Sequence, residues 1–150
     1  MKMESAKEYL GQILERGKQI RNKQAQVDHL ADLIANITPT LTETGAAHGN
    51  GVQDKMAEEL AAYIDKKAEL EQEIAHMLRL TVEAYDLLNR VENPQYVDVL
   101  HRRYFLRQSF GKIADALGYG YRNVCYIHGK ALAAFEVVME QERRAKHEQG

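Results

Sequence analysis

The sequence predicts an all-α protein: a long antiparallel helical hairpin of coiled-coil type over residues 1–92, then a C-terminal helix-turn-helix domain over 93–142 and a disordered tail at 143–150. Three observations predict this. Two long stretches place apolar or small residues at alternating steps of three and four, the spacing of a heptad seam. A glycine- and threonine-rich segment separates them, as the connection of a hairpin would. Finally, Ser109–Leu132 reads as a short helix, a glycine turn and a second helix rich in basic and aromatic residues, the layout of a helix-turn-helix.

The first long helix, roughly 3–37, has its seam at Ala6, Leu10, Ile13, Gly17, Ile20, Val27, Ala31 and Ile34, with Gln24 in one polar slot. Thr38-Pro39 is expected to end it, because a residue before proline is pushed out of the helical region. Residues 38–52 hold three glycines, four threonines and a proline, and read as a flexible loop that offers little to a core. The second helix, roughly 53–92, repeats the seam at Met56, Leu60, Tyr63, Leu70, Ile74, Met77, Thr81, Ala84, Leu88 and Val91, with Lys67 in a seam position. A coiled coil between two chains would leave the same pattern, so the periodicity allows either an intramolecular or an intermolecular pairing.

Asn93-Pro94 marks a new helix start, since asparagine is a favoured N-cap and proline a favoured first helical residue. This helix carries Tyr96, Val97, Leu100, Tyr104 and Phe105 on one side, with His101, Arg102 and Arg103 partly on the other. Ser109 is the expected N-cap of the next, short helix to Leu117. Gly118 supplies the left-handed residue that stops it. The last helix begins near Gly120 or Tyr121 and runs to about Arg144.

Two helices crossing at a short turn need a small residue where they touch, a glycine in the turn, and apolar anchors. Ala114, Gly118 and the set Ile113, Leu117, Val124 and Ile127 meet those needs. Tyr121, Arg122, Asn123, Cys125 and Tyr126 then fall on the outer face of the second helix and are the candidates for DNA base or groove contact. An arginine can fork onto guanine, an asparagine can pair with adenine, and a tyrosine can meet a thymine methyl. Arg102, Arg103, Ser109, Lys112 and Lys130 are the candidates for phosphate contact.

Charge distribution supports this placement. The net charge is −2, yet residues 1–93 hold 11 Lys+Arg against 16 Asp+Glu, while 94–150 hold 9 against 6. Within 101–130 there are six basic residues and Asp115 as the single acid. Positive charge thus gathers where phosphates would be neutralised. The acidic hairpin is unsuited to DNA, which assigns it to protein contact: self-association as a homodimer, or RNA polymerase.

The stretches Tyr96–Tyr104 (YVDVLHRRY), Phe110–Gly118 (FGKIADALG) and Val124–Leu132 (VCYIHGKAL) resemble the fourth conserved region of bacterial sigma factors. In that region a helix with an L–R–Y pattern precedes an IA–LG turn, and the recognition helix ends in V–I–KAL. The resemblance covers about 94–135. With its heptad hairpin, the whole chain resembles small phage and prophage sigma-like transcriptional regulators of the RinA/ArpU type. The resemblance implies promoter-proximal DNA binding and contact with RNA polymerase. Primary sigma factors carry Thr, Arg, Glu and Arg where this chain has Gly120, Tyr121, Arg122 and Asn123, so it implies a different target sequence.

Other chemistries find little support. Cys125 is a lone cysteine, which excludes an internal disulfide and suits a reducing, cytoplasmic setting. Histidines 29, 48, 76, 101, 128 and 147 show no pairing at metal-ligand spacing. No run of apolar residues approaches membrane-spanning length, the N-terminus has no secretory pattern, and Gly45–Gly51 lacks the Lys-Ser/Thr of a phosphate-binding loop. The expectation is therefore a non-enzymatic DNA-binding transcription regulator without cofactor or metal. Two alternatives remain at this level: a phage terminase small subunit recognising packaging DNA, and an RNA-polymerase-binding module with no DNA affinity of its own.

Overall fold

A computed structural model describes residues 4–43 and 51–149, and among them it is all-helical. The elements are α1 (Ala6–Glu43), α2 (Gly51–Leu88), α3 (Pro94–Leu100), a π-helical turn (His101–Phe105), α4 (Phe110–Leu117) and α5 (Tyr121–Gln149). By packing, the chain divides into two compact units: Met1–Gly17 with Arg79–Gly150, and Lys18–Leu78. The long helices α1 and α2 thus contribute to both, and the division falls within them rather than at residue 93.

In the Lys18–Leu78 unit, α1 and α2 run side by side in opposite order. Val27 shares a buried cluster with Leu70 and Ile74, flanked by Ile20 and Leu30. Lys23 Nζ meets Glu73 Oε2 at 2.7 Å. The α2 seam read from the sequence is the covered side of that helix from Met56 to Leu88, with Leu70, Ile74, Ala84 and Leu88 buried. On α1 the seam needs one correction. Gln24 is exposed and its side-chain amide donates to Asp28 one turn on, while the half-buried polar position belongs to Lys23. A lysine can lay its methylenes along the seam and still reach the Glu73 carboxylate, which a glutamine cannot match.

Pro39 does not end α1, which continues through to Glu43. Proline withholds its own N–H from the carbonyl four residues back. Here its ring lies on an exposed side of the helix, and the Thr38 hydroxyl donates to the Ile34 carbonyl at 2.6 Å, adding a side-chain bond in the same turn. Of the expected loop, 38–43 is therefore helical and 51–52 opens α2; 44–50 lie outside the described residues.

The other unit is built around α5. Its buried residues Val124, Ile127, Ala131, Phe135, Val138 and Met139 recur at helical spacing. Ala131, Phe135, Val138 and Met139 join Ala6 and Leu10 of α1, Leu88 of α2, Val91, Leu100 and Tyr104 in one core. Val124 and Ile127 join Val99, Ile113 and Ala114 in a second cluster. Adjacent residues Val99 and Leu100 point into different clusters, so α3 ties the two together. Ser5 caps α1 through its hydroxyl, which accepts from the Glu8 N–H, and the Ala6 N–H donates to Glu136 Oε2 on α5 at 2.6 Å. A carboxylate on a helix N-terminal N–H is a charge-assisted bond that also meets the positive end of the helix dipole.

The tail expected to be disordered is helical through Gln149. Arg143 donates to the Glu4 carbonyl at 3.3 Å, and Arg144 and Lys146 pair with Glu140 and Glu142 one turn earlier. Acid preceding base by four residues is the favourable orientation along a helix, and these two pairs with the Arg143 bond hold the last turns.

Candidate nucleic-acid interface

The candidate residues stand on α3, the π-turn, α4 and α5. The Asn93 side chain accepts from the Gln95 N–H and Pro94 opens α3. The helix then widens: Leu106 N–H donates to the His101 carbonyl, and Gln108 N–H to Arg102, one residue wider than an ordinary helix end. Arg107 takes the left-handed conformation at φ 59°, which lets the chain turn sharply into Ser109. The widened turn is a feature that sequence pattern gives no signal for.

Ser109 caps α4, its hydroxyl accepting from the Lys112 N–H at 3.2 Å. Gly118 sits at φ 71° and ψ 27°, and the N–H groups of Gly118 and Tyr119 both return to the Ala114 carbonyl. A Cβ at Gly118 would meet nothing within 4 Å, so backbone conformation and not space is what asks for glycine there. After Gly118-Tyr119-Gly120, α5 starts at Tyr121. The Tyr119 hydroxyl accepts from the Gln95 side chain at 2.9 Å, fastening this connection to α3.

The anchors proposed from sequence do meet. Ile113 and Val124 are wholly buried, Ala114 and Ile127 nearly so, and Leu117 packs against them. Val99 of α3, which the sequence reading placed in no role, completes the cluster. With Val124 and Ile127 turned inward, Tyr121, Arg122, Asn123 and Tyr126 are exposed, and both tyrosines expose more than half their surface. Cys125 is only half-buried and lies toward the side of this face.

The cationic candidates fall in three places. Arg103 lies over the Phe110 ring at 4.3 Å and donates to the Gln108 carbonyl, and Phe110 in turn meets the Tyr121 ring edge-on. Arg103, Ser109, exposed Lys112 and Tyr121 are thereby gathered about the start of α4. Lys130 lies over the Tyr126 ring at 4.9 Å, and its contact with that tyrosine raises its pKa. Arg102 stands apart, its Nε bound to Asp98 Oδ1 at 2.9 Å, so part of its charge is already answered.

Behind this face the Tyr104 hydroxyl and His128 Nε2 are 2.8 Å apart, and the His128 ring meets the edge of Phe110. Burial lowers the His128 pKa, and the cations Arg103 and Lys7 lower it further. A histidine that resists protonation when folded takes up a proton more readily when unfolded. Stability is therefore complete above the ordinary histidine value of 6.5 and declines as pH falls below it toward the lowered folded value. Urea midpoints measured from about pH 7.5 to about pH 5.5 should fall in the native chain and fall less in His128→Gln. Equal slopes would show that His128 is not the group responsible.

Among the described residues no group of three His, Cys, Asp or Glu could hold a metal ion, and no helix is long and apolar enough to cross a membrane. A groove of about 540 Å³ lined by Tyr9, Glu83, Asp86, Arg90, Glu142 and Arg143 lies on another side of the same unit, with Arg90 and Glu142 paired at 2.6 Å. Comparison with protein-family models, curated proteins and solved structures gives no match to this chain.

Proposed function

We propose that this chain is a transcription regulator that binds double-stranded DNA through a sigma-like helix-turn-helix, with α4 as the supporting helix and α5 as the recognition helix. The observation that carries the reading is the first two turns of α5. Val124 and Ile127 anchor the helix inward while Tyr121, Arg122, Asn123 and Tyr126 stand exposed beside one another. A major groove admits one helix, and Arg and Asn are the side chains that read guanine and adenine there in bidentate fashion. Arg103, Ser109, Lys112 and Lys130 lie at the two ends of this face, as phosphate contacts flanking a groove would. Arg102 contributes less, because Asp98 competes for it. The acidic α1–α2 hairpin is the part assigned to protein contact, with RNA polymerase as the expected partner at a promoter.

Selection of random duplexes by the purified chain should enrich a motif. Arg122→Ala should then weaken binding to that motif by about 1–3 kcal/mol, with Lys112→Ala weakening all sequences alike and lowering the salt dependence. Absence of any enriched motif, or an Arg122→Ala affinity equal to the parent's, would overturn the reading.

A further inference from the structure

Helix α2 carries a second heptad seam. Ala57, Ala61, Ile64, Ala68, Glu71, Ala75 and Leu78 follow one another at alternating steps of four and three, and every one is exposed. In sequence the register continues to exposed Val82 and to Tyr85. This stripe is distinct from the Met56–Leu88 seam that α1 and the neighbouring elements cover. Ile64 and Leu78 each leave about half their surface in water (48% and 49%), and Val82 more, at 58%. Alanine suits any exposed helix, but an exposed face with no packing duty has no use for large apolar side chains in one register, as Ile64, Leu78 and Val82 stand here.

The charges beside the stripe indicate what covers it. Along one flank, at seven-residue intervals, stand Asp65, Gln72 and Arg79, all exposed. Among the described residues neither Asp65 nor Arg79 has an ion-pair partner, although most other charges of α2's middle do, as in Lys66–Glu69 and Lys67–Glu71. Asp65 and Arg79 lie equally far from Gln72 and carry opposite charge. A second copy of the same helix, run antiparallel about a two-fold axis near Gln72, brings each Asp65 to the other copy's Arg79 and each Gln72 to its counterpart. A two-fold contact is self-complementary in this way, residue i meeting j and j meeting i. Flanking charges of this kind set partner and orientation in coiled coils.

We infer that this face of α2 is a homodimer interface, in which two copies pair antiparallel with Gln72 at the two-fold. The apolar layers beside that flank centre one residue further on, at 73, where Ile64 meets Val82 of the second copy and Ala68 meets Leu78. The recurring alanines at 61, 68 and 75 let the helix axes approach closely, since interaxial distance follows the size of the side chains between them. Glu71, the one charge within the stripe, reaches the interface with its carboxylate already 3.1 Å from Lys67 Nζ. The interface is independent of the DNA reading, and its test contains no DNA.

The test is sedimentation of the full chain at up to about 100 µM, the range in which a micromolar dimer is populated. The expected mass is twice the chain's 17.1 kDa. Asp65→Arg alone and Arg79→Asp alone, both on exposed positions and checked for unchanged helical circular dichroism, should each raise the dimer dissociation constant roughly ten-fold or more, because like charges then face each other. The double exchange Asp65→Arg/Arg79→Asp should return it to near the parent value. In a Cys125→Ser background, Gln72→Cys should form a covalent dimer on mild oxidation while Glu59→Cys, on another face of α2, should not. A chain that stays monomeric, or a dimer indifferent to both charge reversals, overturns the inference, as would an uncrosslinked Gln72→Cys. Loss of dimer in the single variants with recovery in the double one establishes it.

Discussion

Phe135→Ala is expected to lower the unfolding free energy by about 3–5 kcal/mol, a large part of what a domain of this size possesses. Phe135 is fully buried at the middle of α5, where residues from α1, α2, α3 and the π-turn converge, and its ring lies 5.8 Å from that of Tyr9. No neighbouring element can move in to fill the space without giving up its own contacts, so the cavity term adds to the lost transfer energy. Urea unfolding followed by circular dichroism measures it. A loss below about 1 kcal/mol would mean that the helices around Phe135 close over the gap, and that this cluster is not the main core.

Ile113→Ala should cost about 2–5 kcal/mol. Ile113 is fully buried in the smaller cluster with Val99, Ala114, Val124 and Ile127, which is what holds α4 against α5 and α3. The smaller cluster has fewer alternatives for repacking, and α4 is only eight residues long, too short to persist without tertiary support. Amide exchange should therefore quicken in α4 before it does in the Phe135 region of α5. Under the proposed function, affinity for the selected duplex should drop as well, since α4 fixes the angle at which Arg122 and Asn123 are presented. Uniform quickening along α5 would show instead that the two clusters open as one.

Much of the local structure was legible because its causes are local. The α2 seam from Met56 to Leu88, the Asn93-Pro94 start of α3, the Ser109 cap and the Gly118 stop each depend on residues within a few positions of one another, and each stands where the pattern puts it. The exposed set Tyr121, Arg122, Asn123 and Tyr126 follows from the same arithmetic, because Val124 and Ile127 fix which way the helix faces. The errors arose where a local rule met a compensating contact. Pro39 stays within α1 beside a threonine hydroxyl bonded to a carbonyl, the α1 seam passes Lys23 because Glu73 awaits it, and the last turns of α5 persist through Glu140, Glu142 and Glu4.

The sequence by itself determined that the chain is helical, where its short helices begin and stop, and which side chains α5 turns outward, since these depend on spacing and on the conformations open to Asn, Pro, Ser and Gly. Only the tertiary structure decided that the polar slot of the α1 seam falls at Lys23, opposite Glu73, and not at Gln24. It also decided that Val99 and Leu100 serve different clusters, that the helix widens at His101–Phe105, and that Arg102 is engaged by Asp98 while Arg103 is held at the start of α4. The first two share one physical reason. A periodicity states that a face can be buried, but what buries it comes from residues far along the chain, and their arrival is set by packing.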